Sequence, residues 1–258
     1  MNVLMYFCAM ISSLIHFQQV TRSTNRDMEE WVRANGQSDR ALPELYTLAA
    51  GFQEAGRGQG SNRWCSEAGQ NLLASFYFRP PLLAARQFCF NQFFTLAVRR
   101  LLLAYLPEVQ VKWPNDIYVG DKKLAGILIE HAVQGEKLRY TIAGIGLNVN
   151  QQDFPSDLPN PVSLRQLLGH PLEVDELLQQ LHTTLTEDYA QFKSTPPDVL
   201  QQNYLSALYR KDCYFLYNIE NKIVTAKITG VDEFGRLLLL AHDGTPYCCG
   251  MKEVKYIL

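Results

Sequence analysis

Apolar residues recur along the chain with two different periods, and each period predicts a different kind of element. Segments 86–105 and 174–192 repeat apolar residues at the three- and four-residue spacing of an amphipathic helix. The first repeat consists of Phe90, Phe93, Phe94, Ala97, Leu101 and Tyr105. We expect this aromatic stripe to fill a core rather than to bind a cofactor. A shorter helix is predicted over 24–34, and the prolines at 196 and 197 end the second long helix.

Runs of alternating or continuous apolar residues predict strands elsewhere in the chain. The predicted strands cover 15–17, 46–50, 71–79 and 138–149. The first of them is expected to enter the core. From about residue 212 onward, short β-rich runs are separated by turn residues, which is typical of a small barrel. The pattern as a whole predicts helices and strands in succession, followed by this barrel.

The segment 111–130 reads VKWPNDIYVGDKKLAGILIE and predicts a β-hairpin. Pro114 stops the first short strand because it has no backbone donor. A second strand, a Gly-Asp turn and a nearly all-apolar returning strand follow. In this arrangement Asp116 and Lys123 face each other, and Gly126 leaves room for a close approach of backbone or ligand. A surface hairpin with solvated lysines is the alternative interpretation.

A lysine on such a hairpin can meet a carboxylate or a phosphate in a poorly solvated site, while a nearby carboxylate keeps it charged. The glycine-rich segment 53–66, QEAGRGQGSNRWCS, adds to this picture. Its backbone can wrap tightly round a ligand and present N–H groups to an anion. Arg57 supplies a forked cationic donor and Trp64 a flat aromatic face. The segment is neither a Walker A loop nor a dinucleotide fingerprint, and a mobile surface loop is the alternative.

Length and composition limit the classes of protein to consider. The 258 residues, 47% of them apolar, can form one large domain and a small one, which we place at 1–208 and 209–258. A net charge of -2 without a basic run argues against nucleic-acid binding.

The apolar segment 1–17 has no basic residue before Arg22 and is too short to span a membrane, so we expect a cytoplasmic protein. The six cysteines lack metal-ligand spacing and are expected to be reduced thiols.

Four motifs, GRGQGSNRW, KWPND, KKLAGILIE and GIGLNVN, follow one another in this order. In order and separation they resemble biotin protein ligases, and KWPND followed by KLAGIL is the most specific part. The resemblance begins at Ser23 and covers nearly the whole chain. It implies an α+β fold. The expected catalytic domain has a mixed β-sheet of the biotin/lipoate ligase type, similar to class II aminoacyl-tRNA synthetases, and a small SH3-like β-barrel forms the C-terminal domain.

The resemblance also implies a reaction and its participants. The family activates biotin with ATP and Mg²⁺ to biotinyl-5′-AMP and transfers the biotinoyl group to one lysine of a biotin carboxyl carrier protein domain. The catalytic residues implied are Lys123, Arg57 and Asp116. The biotin-binding residues implied are Ser23, Thr24, Asn25, Gln53, Arg57, Gly58, Gln59, Lys123 and Gly126. Those for ATP and the adenylate are Arg57, Gln59, Trp64, Asn115, Lys123 and Asn148.

The resemblance implies no residue that binds a metal, because Mg²⁺ is carried with ATP. Gln59 stands where some relatives have a second arginine, so the loop carries less charge. Asn148 also fits a simple turn residue. Two other functions stay open, a lipoate–protein ligase and a non-catalytic biotin-binding sensor.

Many relatives that repress transcription have an N-terminal helix-turn-helix domain, for which residues 1–22 offer no room, so we expect no binding to DNA. No membrane partner is expected either. The sequence leaves open the oligomeric state, including a homodimer, and the identity of the carrier. It also leaves open the order of the loop without ligand and the role of residues 1–14.

Overall fold

Two β-sheets organise the part of the chain that the computed structural model describes, which comprises residues 13–35, 42–60 and 62–257. The strands of the first sheet are β1 (Ile15–Thr21), β2 (Thr47–Gln53), β3 (Leu72–Phe78), β4 (Gln110–Lys112), β5 (Asp116–Val119), β6 (Lys122–Gln134) and β7 (Lys137–Leu147). Those of the second are β8 (Tyr214–Ile219), β9 (Lys222–Val231), β10 (Leu237–Ala241), β11 (Pro246–Cys249) and β12 (Val254–Tyr256). The described helices are α1 (Thr24–Asn35), α2 (Gln87–Leu102), α3 (Leu164–Leu168), α4 (Val174–Phe192) and α5 (Pro197–Ser206).

The first sheet is mixed, with the strand order β1-β2-β3-β7-β6-β5-β4. Only the β1–β2 pair in its described part is parallel, and the other neighbours are antiparallel. The second sheet is antiparallel throughout and has the order β11-β10-β9-β8-β12. The change of pattern after residue 212 therefore corresponds to a separate sheet, as the sequence predicts.

Helices cover both faces of the first sheet, and strand β3 is consequently buried along its whole length. Side chains alternate between the two faces of a strand. Phe76 and Phe78 enter the large core that includes residues of α2 and α4. Tyr77 lies on the opposite face in a smaller core with Met28 of α1 and Ile142 of β7. The side chains that build the site described below lie on this α1 face.

The helices that the apolar spacing predicts are confirmed. Segment 24–34 corresponds to α1, 86–105 to α2 and 174–192 to α4. Helix α2 ends at Leu102, so that Tyr105 lies beyond it and is only partly buried. Among the described residues, no helix has both the length and the apolar character needed to cross a membrane.

The N-terminal strand forms as predicted and its Ile15 packs against the large core, but Phe17 and Val20 do not enter the core. Within the described residues β1 pairs only with β2, at the edge of the sheet. The side chains of Phe17 and Val20 are 48% and 55% exposed. Burial of a strand depends on the strands and helices beside it, and an edge strand lacks a neighbour on one side. The preceding apolar segment, 1–12, lies outside the described residues.

The second sheet is held against the first where strand β4 gives way to β5. The indole Nε1 of Trp113 donates to the carbonyl oxygen of Gly235, between β9 and β10, at 2.9 Å. The Tyr204 hydroxyl of helix α5 donates to the carbonyl oxygen of Pro114 at 2.6 Å and connects the same segment to that helix. Gly235 has a φ of 86°, and a Cβ added there would lie 2.4 Å from Cδ2 of Phe88. Both the backbone conformation and the space therefore require glycine at this contact.

Replacing Gly235 by alanine is expected to lower the free energy of unfolding by about 2–4 kcal/mol, because backbone strain and a clash with Phe88 act together. The matched control is Gly244→Ala. Gly244 has a φ of 88° but nothing within 4 Å of an added Cβ, so only backbone strain of about 1–2 kcal/mol applies. Urea unfolding of both variants measures the difference. Equal losses would show that Gly235 is not tightly packed against Phe88.

Candidate active site

Three glycines leave bare backbone on the α1 face of the first sheet. Gly126 of β6 pairs with Gly146 of β7, and Gly144 lies two residues before Gly146. A Cβ on Gly146 would lie 2.2 Å from the indole Cε2 of Trp64, and one on Gly144 would lie 2.0 Å from Oδ1 of Asn25. The indole and the amide therefore rest directly on the strands. We call these three glycines the glycine floor.

Buried polar side chains form one wall beside the glycine floor. Asn25 lies at the start of α1, and its Nδ2 donates to the carbonyl oxygen of Leu128 at 3.2 Å. The hydroxyl of Ser75 lies 2.5 Å from Asn25 Oδ1 and 2.7 Å from Thr24 Oγ1. Gln53 Oε1 accepts from both the backbone N–H and the hydroxyl of Thr24, at 2.8 and 3.1 Å. Each of these groups has a hydrogen-bond partner, which fixes its orientation. All of the side chains are neutral, so the wall carries no net charge.

The hairpin of β5 and β6 supplies the ion pair that the sequence predicts. Lys123 Nζ and Asp116 Oδ2 are 2.6 Å apart, and both side chains are partly exposed. Proximity across the hairpin is therefore confirmed. Lys112, which the sequence reasoning missed, lies next to this pair with its Nζ 4.8 Å from the ring centroid of Tyr118. Burial lowers the pKa of Lys112, and the nearby Asp116 opposes this shift.

The glycine-rich loop folds back on itself above the floor. The N–H of Gly58 donates to the carbonyl oxygen of Asn62 at 2.8 Å, and that of Trp64 donates to Gly56 at 3.0 Å. This fold brings Trp64 onto the floor. Its Nε1–H is buried and has no hydrogen-bond partner in the described part of the chain. Such a donor beside a cavity is a place where a ligand acceptor could bind.

Two side chains of the loop reach other elements. Arg57 Nη2 lies 3.1 Å from Oε1 of Glu130 on β6. Gln59 Nε2 donates to the sulfur of Met251, between β11 and β12, at 2.6 Å. The loop is thus fixed at one point to the first sheet and at another to the second.

One cavity collects the predicted site residues, with one exception. It is lined by Ser23, Thr24, Asn25, Gln53, Arg57, Gly58, Gln59, Trp64, Asn115, Asp116, Lys123 and Gly126. Asn148 lies instead in an adjoining cavity, which shares Trp64, Asp116 and Lys123 with the first. Its Nδ2 donates to the carbonyl oxygen of Val162 at 3.0 Å, so part of its bonding capacity is used within the protein.

The sequence reasoning missed Glu130 and Ser75 as well as Lys112. A signal for Glu130 was present, because side chains alternate along a strand and Glu130 falls on the same face as Gly126. Ser75 sits in a continuous apolar run with no sign that it serves a polar wall. Its role depends on the pairing of β3 with β7 and on the position of α1, which no local pattern contains.

Comparison with known proteins agrees with the motifs. A profile of the biotin/lipoate A/B protein ligase family matches residues 17–148. The bifunctional ligase/repressor BirA of Bacillus spizizenii is 29% identical over 88% of this chain and 70% of its own length. The biotin--[acetyl-CoA-carboxylase] ligase of Paracoccus denitrificans is 29% identical over 74% of this chain and 82% of its own.

A solved structure shows the same fold. The biotin protein ligase from Aquifex aeolicus in complex with biotin and ATP has a TM-score of 0.74 and 24% identity, covering 94% of this chain and 99% of its own. The predicted α+β fold class is thereby confirmed, and the second sheet fits the SH3-like C-terminal part that the sequence predicts.

Replacing Gly146 by alanine is expected to displace the Trp64 indole, because the new Cβ would overlap it. Tryptophan emission should move to longer wavelength and acrylamide should quench it more strongly. The same change made in a Trp64→Phe background is the control, since the response must then disappear. A response that persists without Trp64, or none with it, would contradict this packing.

Proposed function

The chain belongs to the biotin/lipoate A/B protein ligase family, and we propose that it is an ATP-dependent biotin protein ligase. The observation that carries the proposal is one cavity in which a polar wall, a glycine floor and the cations of Arg57 and Lys123 meet. Most of its residues lie in the four motifs that resemble those of biotin protein ligases. The acceptor we propose is a lysine of a biotin carboxyl carrier protein domain.

The polar wall suits the ureido ring of biotin. The ureido ring has both donors and acceptors, and Ser23, Thr24, Asn25 and Gln53 offer hydroxyl and amide groups to match them. The Trp64 indole, which rests on the glycine floor, offers a flat face to an aromatic ring. We assign Trp64, Asn115 and Asn148 to the adenylate end of the site, where the adjoining cavity begins.

In the first step, a carboxylate oxygen of biotin attacks the α-phosphorus of ATP, and the bond to the leaving pyrophosphate breaks. Two anions must approach each other, so fixed cations lower the barrier. Arg57 of the loop and Lys123 of the hairpin line the cavity, and Arg63 of the loop adds a third cation to its lining. Among the described residues, no cluster of three or more histidine, cysteine or carboxylate side chains could hold a metal. We propose that Mg²⁺ arrives with the triphosphate and offsets its charge.

In the second step, the amine of the acceptor lysine attacks the acyl carbon of biotinyl-5′-AMP, an amide bond forms and AMP leaves. Asp116 is the carboxylate beside Lys123 in the cavity. It orients the incoming amine through a hydrogen bond while Lys123 contacts the phosphate. Both steps need exclusion of water, which the folded loop over the floor provides.

The second sheet suggests how the chain is divided. We propose a catalytic domain over 1–208 and an SH3-like domain over 209–258, because all strands after residue 213 pair among themselves. ATP as a substrate favours the cytoplasm as the compartment.

The proposal is tested by ATP–pyrophosphate exchange with the purified chain, Mg²⁺ and either biotin or lipoate. Exchange that depends on biotin is expected. Exchange that depends on lipoate would replace the proposal with a lipoate–protein ligase. Biotin binding without any exchange would indicate a non-catalytic sensor.

Replacing Lys123 by alanine is expected to slow biotin-dependent exchange by about 100-fold or more, because a cation that stabilises the transition state is removed. The free energy of unfolding should change by less than about 1 kcal/mol, since a partly exposed ion pair contributes little. Lys122→Ala is the matched control, as Lys122 is exposed and precedes Lys123 on the same strand. Equal activity of the two variants would refute the role of Lys123.

A further inference from the structure

Glu130 contacts both the glycine-rich loop and the polar wall. Its Oε1 lies 3.1 Å from Nη2 of Arg57, and its Oε2 accepts from Nδ2 of Asn25 at 2.8 Å. The carboxylate sits on β6, whose long pairing with β7 makes it a rigid support. Glu130 itself is not among the residues that line the cavity. It therefore contacts residues that line the cavity without lining it itself.

Glu130 completes a continuous chain of side-chain contacts. The chain runs from Arg57 through Glu130, Asn25, Ser75 and Thr24 to Gln53. Gln53 is the last residue of β2, and Arg57 lies in the loop that follows. These side-chain contacts thus connect the start of the loop to its arginine.

We infer that Glu130 is a positioning residue that acts through Arg57. This inference rests on the proposed function. An arginine side chain has many rotamers, and Arg57 is half exposed, so its guanidinium needs a fixed partner to keep one orientation. A guanidinium carries five N–H donors. Glu130 pairs with Nη2 of the group, and the other donors stay available to the carboxylate and phosphate of the substrates.

The contact with Asn25 extends the same effect to the polar wall. Asn25 Nδ2 is directed to Glu130 and Leu128, so its Oδ1 faces Ser75 and the site. Correct orientation of Arg57 and of the wall thus depends on one carboxylate. An isolated ion pair with this exposure contributes little to stability. Its effect is expected in catalysis rather than in folding.

The test is a double-mutant cycle in ATP–pyrophosphate exchange with biotin. Glu130→Gln keeps the size of the side chain and an oxygen that can accept from Asn25, but it removes the charge that holds Arg57. We expect kcat/KM to fall about tenfold, because the guanidinium is no longer positioned. Arg57→Gln is expected to lower it further. The double variant should equal Arg57→Gln alone, since the substitution at 130 keeps the contact with Asn25 and removes only the effect that passes through Arg57.

Glu136→Gln is the matched control. It removes an exposed carboxylate beyond the end of β6 and should match the wild type. Losses that multiply in the double variant, or an unchanged Glu130→Gln variant, would overturn the inference. If Glu130→Gln does not fold, Glu130→Asp, which withdraws the carboxylate from both Arg57 and Asn25, enters the same cycle. Its loss should then be smaller in the Arg57→Gln background than in the wild type, because the part that passes through Arg57 is already removed. A wild type without biotin-dependent exchange would instead refute the proposed function.

Discussion

Close approach of side chains to bare backbone on β6 and β7 is the constraint on which the site depends. The glycine floor lets Trp64 and Asn25 lie directly on the strands. A methyl group at Gly144 or Gly146 would displace one of them. Trp64 in turn fixes the end of the glycine-rich loop, and Asn25 connects α1 to β6. The absence of side chains at these positions thus determines where the loop, the helix and the cavity meet.

Two ion pairs place opposite charges around this floor. Lys123 forms an ion pair with Asp116 on the hairpin, and Arg57 of the glycine-rich loop forms one with Glu130 of β6. Neither pair is buried enough to contribute much to folding. Each holds a cation in a defined position before substrates arrive, which lowers the reorganisation that the reaction requires. In the proposed reaction, these cations offset the repulsion between a carboxylate and a phosphate.

Local sequence patterns predict most of the fold and part of the site. Pro114 and the Gly-Asp turn determine the hairpin, so the sequence predicts that Asp116 and Lys123 face each other. The edge position of β1 could not, because it depends on the order of strands in the sheet. The contact between Asn25 and Glu130 joins residues 105 positions apart, and no local pattern indicates it. Asn148 lies in the adjoining cavity and bonds to Val162, which only the tertiary structure reveals.

The central claim is that the cavity over the glycine floor binds the activated intermediate, and a crystal structure with a non-hydrolysable biotinyl-adenylate analogue tests it most directly. The account predicts the biotin rings beside Asn25 and the glycine floor. It also predicts Arg57 and Lys123 within hydrogen-bonding distance of the phosphate or its replacement. An analogue bound outside this cavity, or one whose phosphate contacts neither cation, would contradict the account.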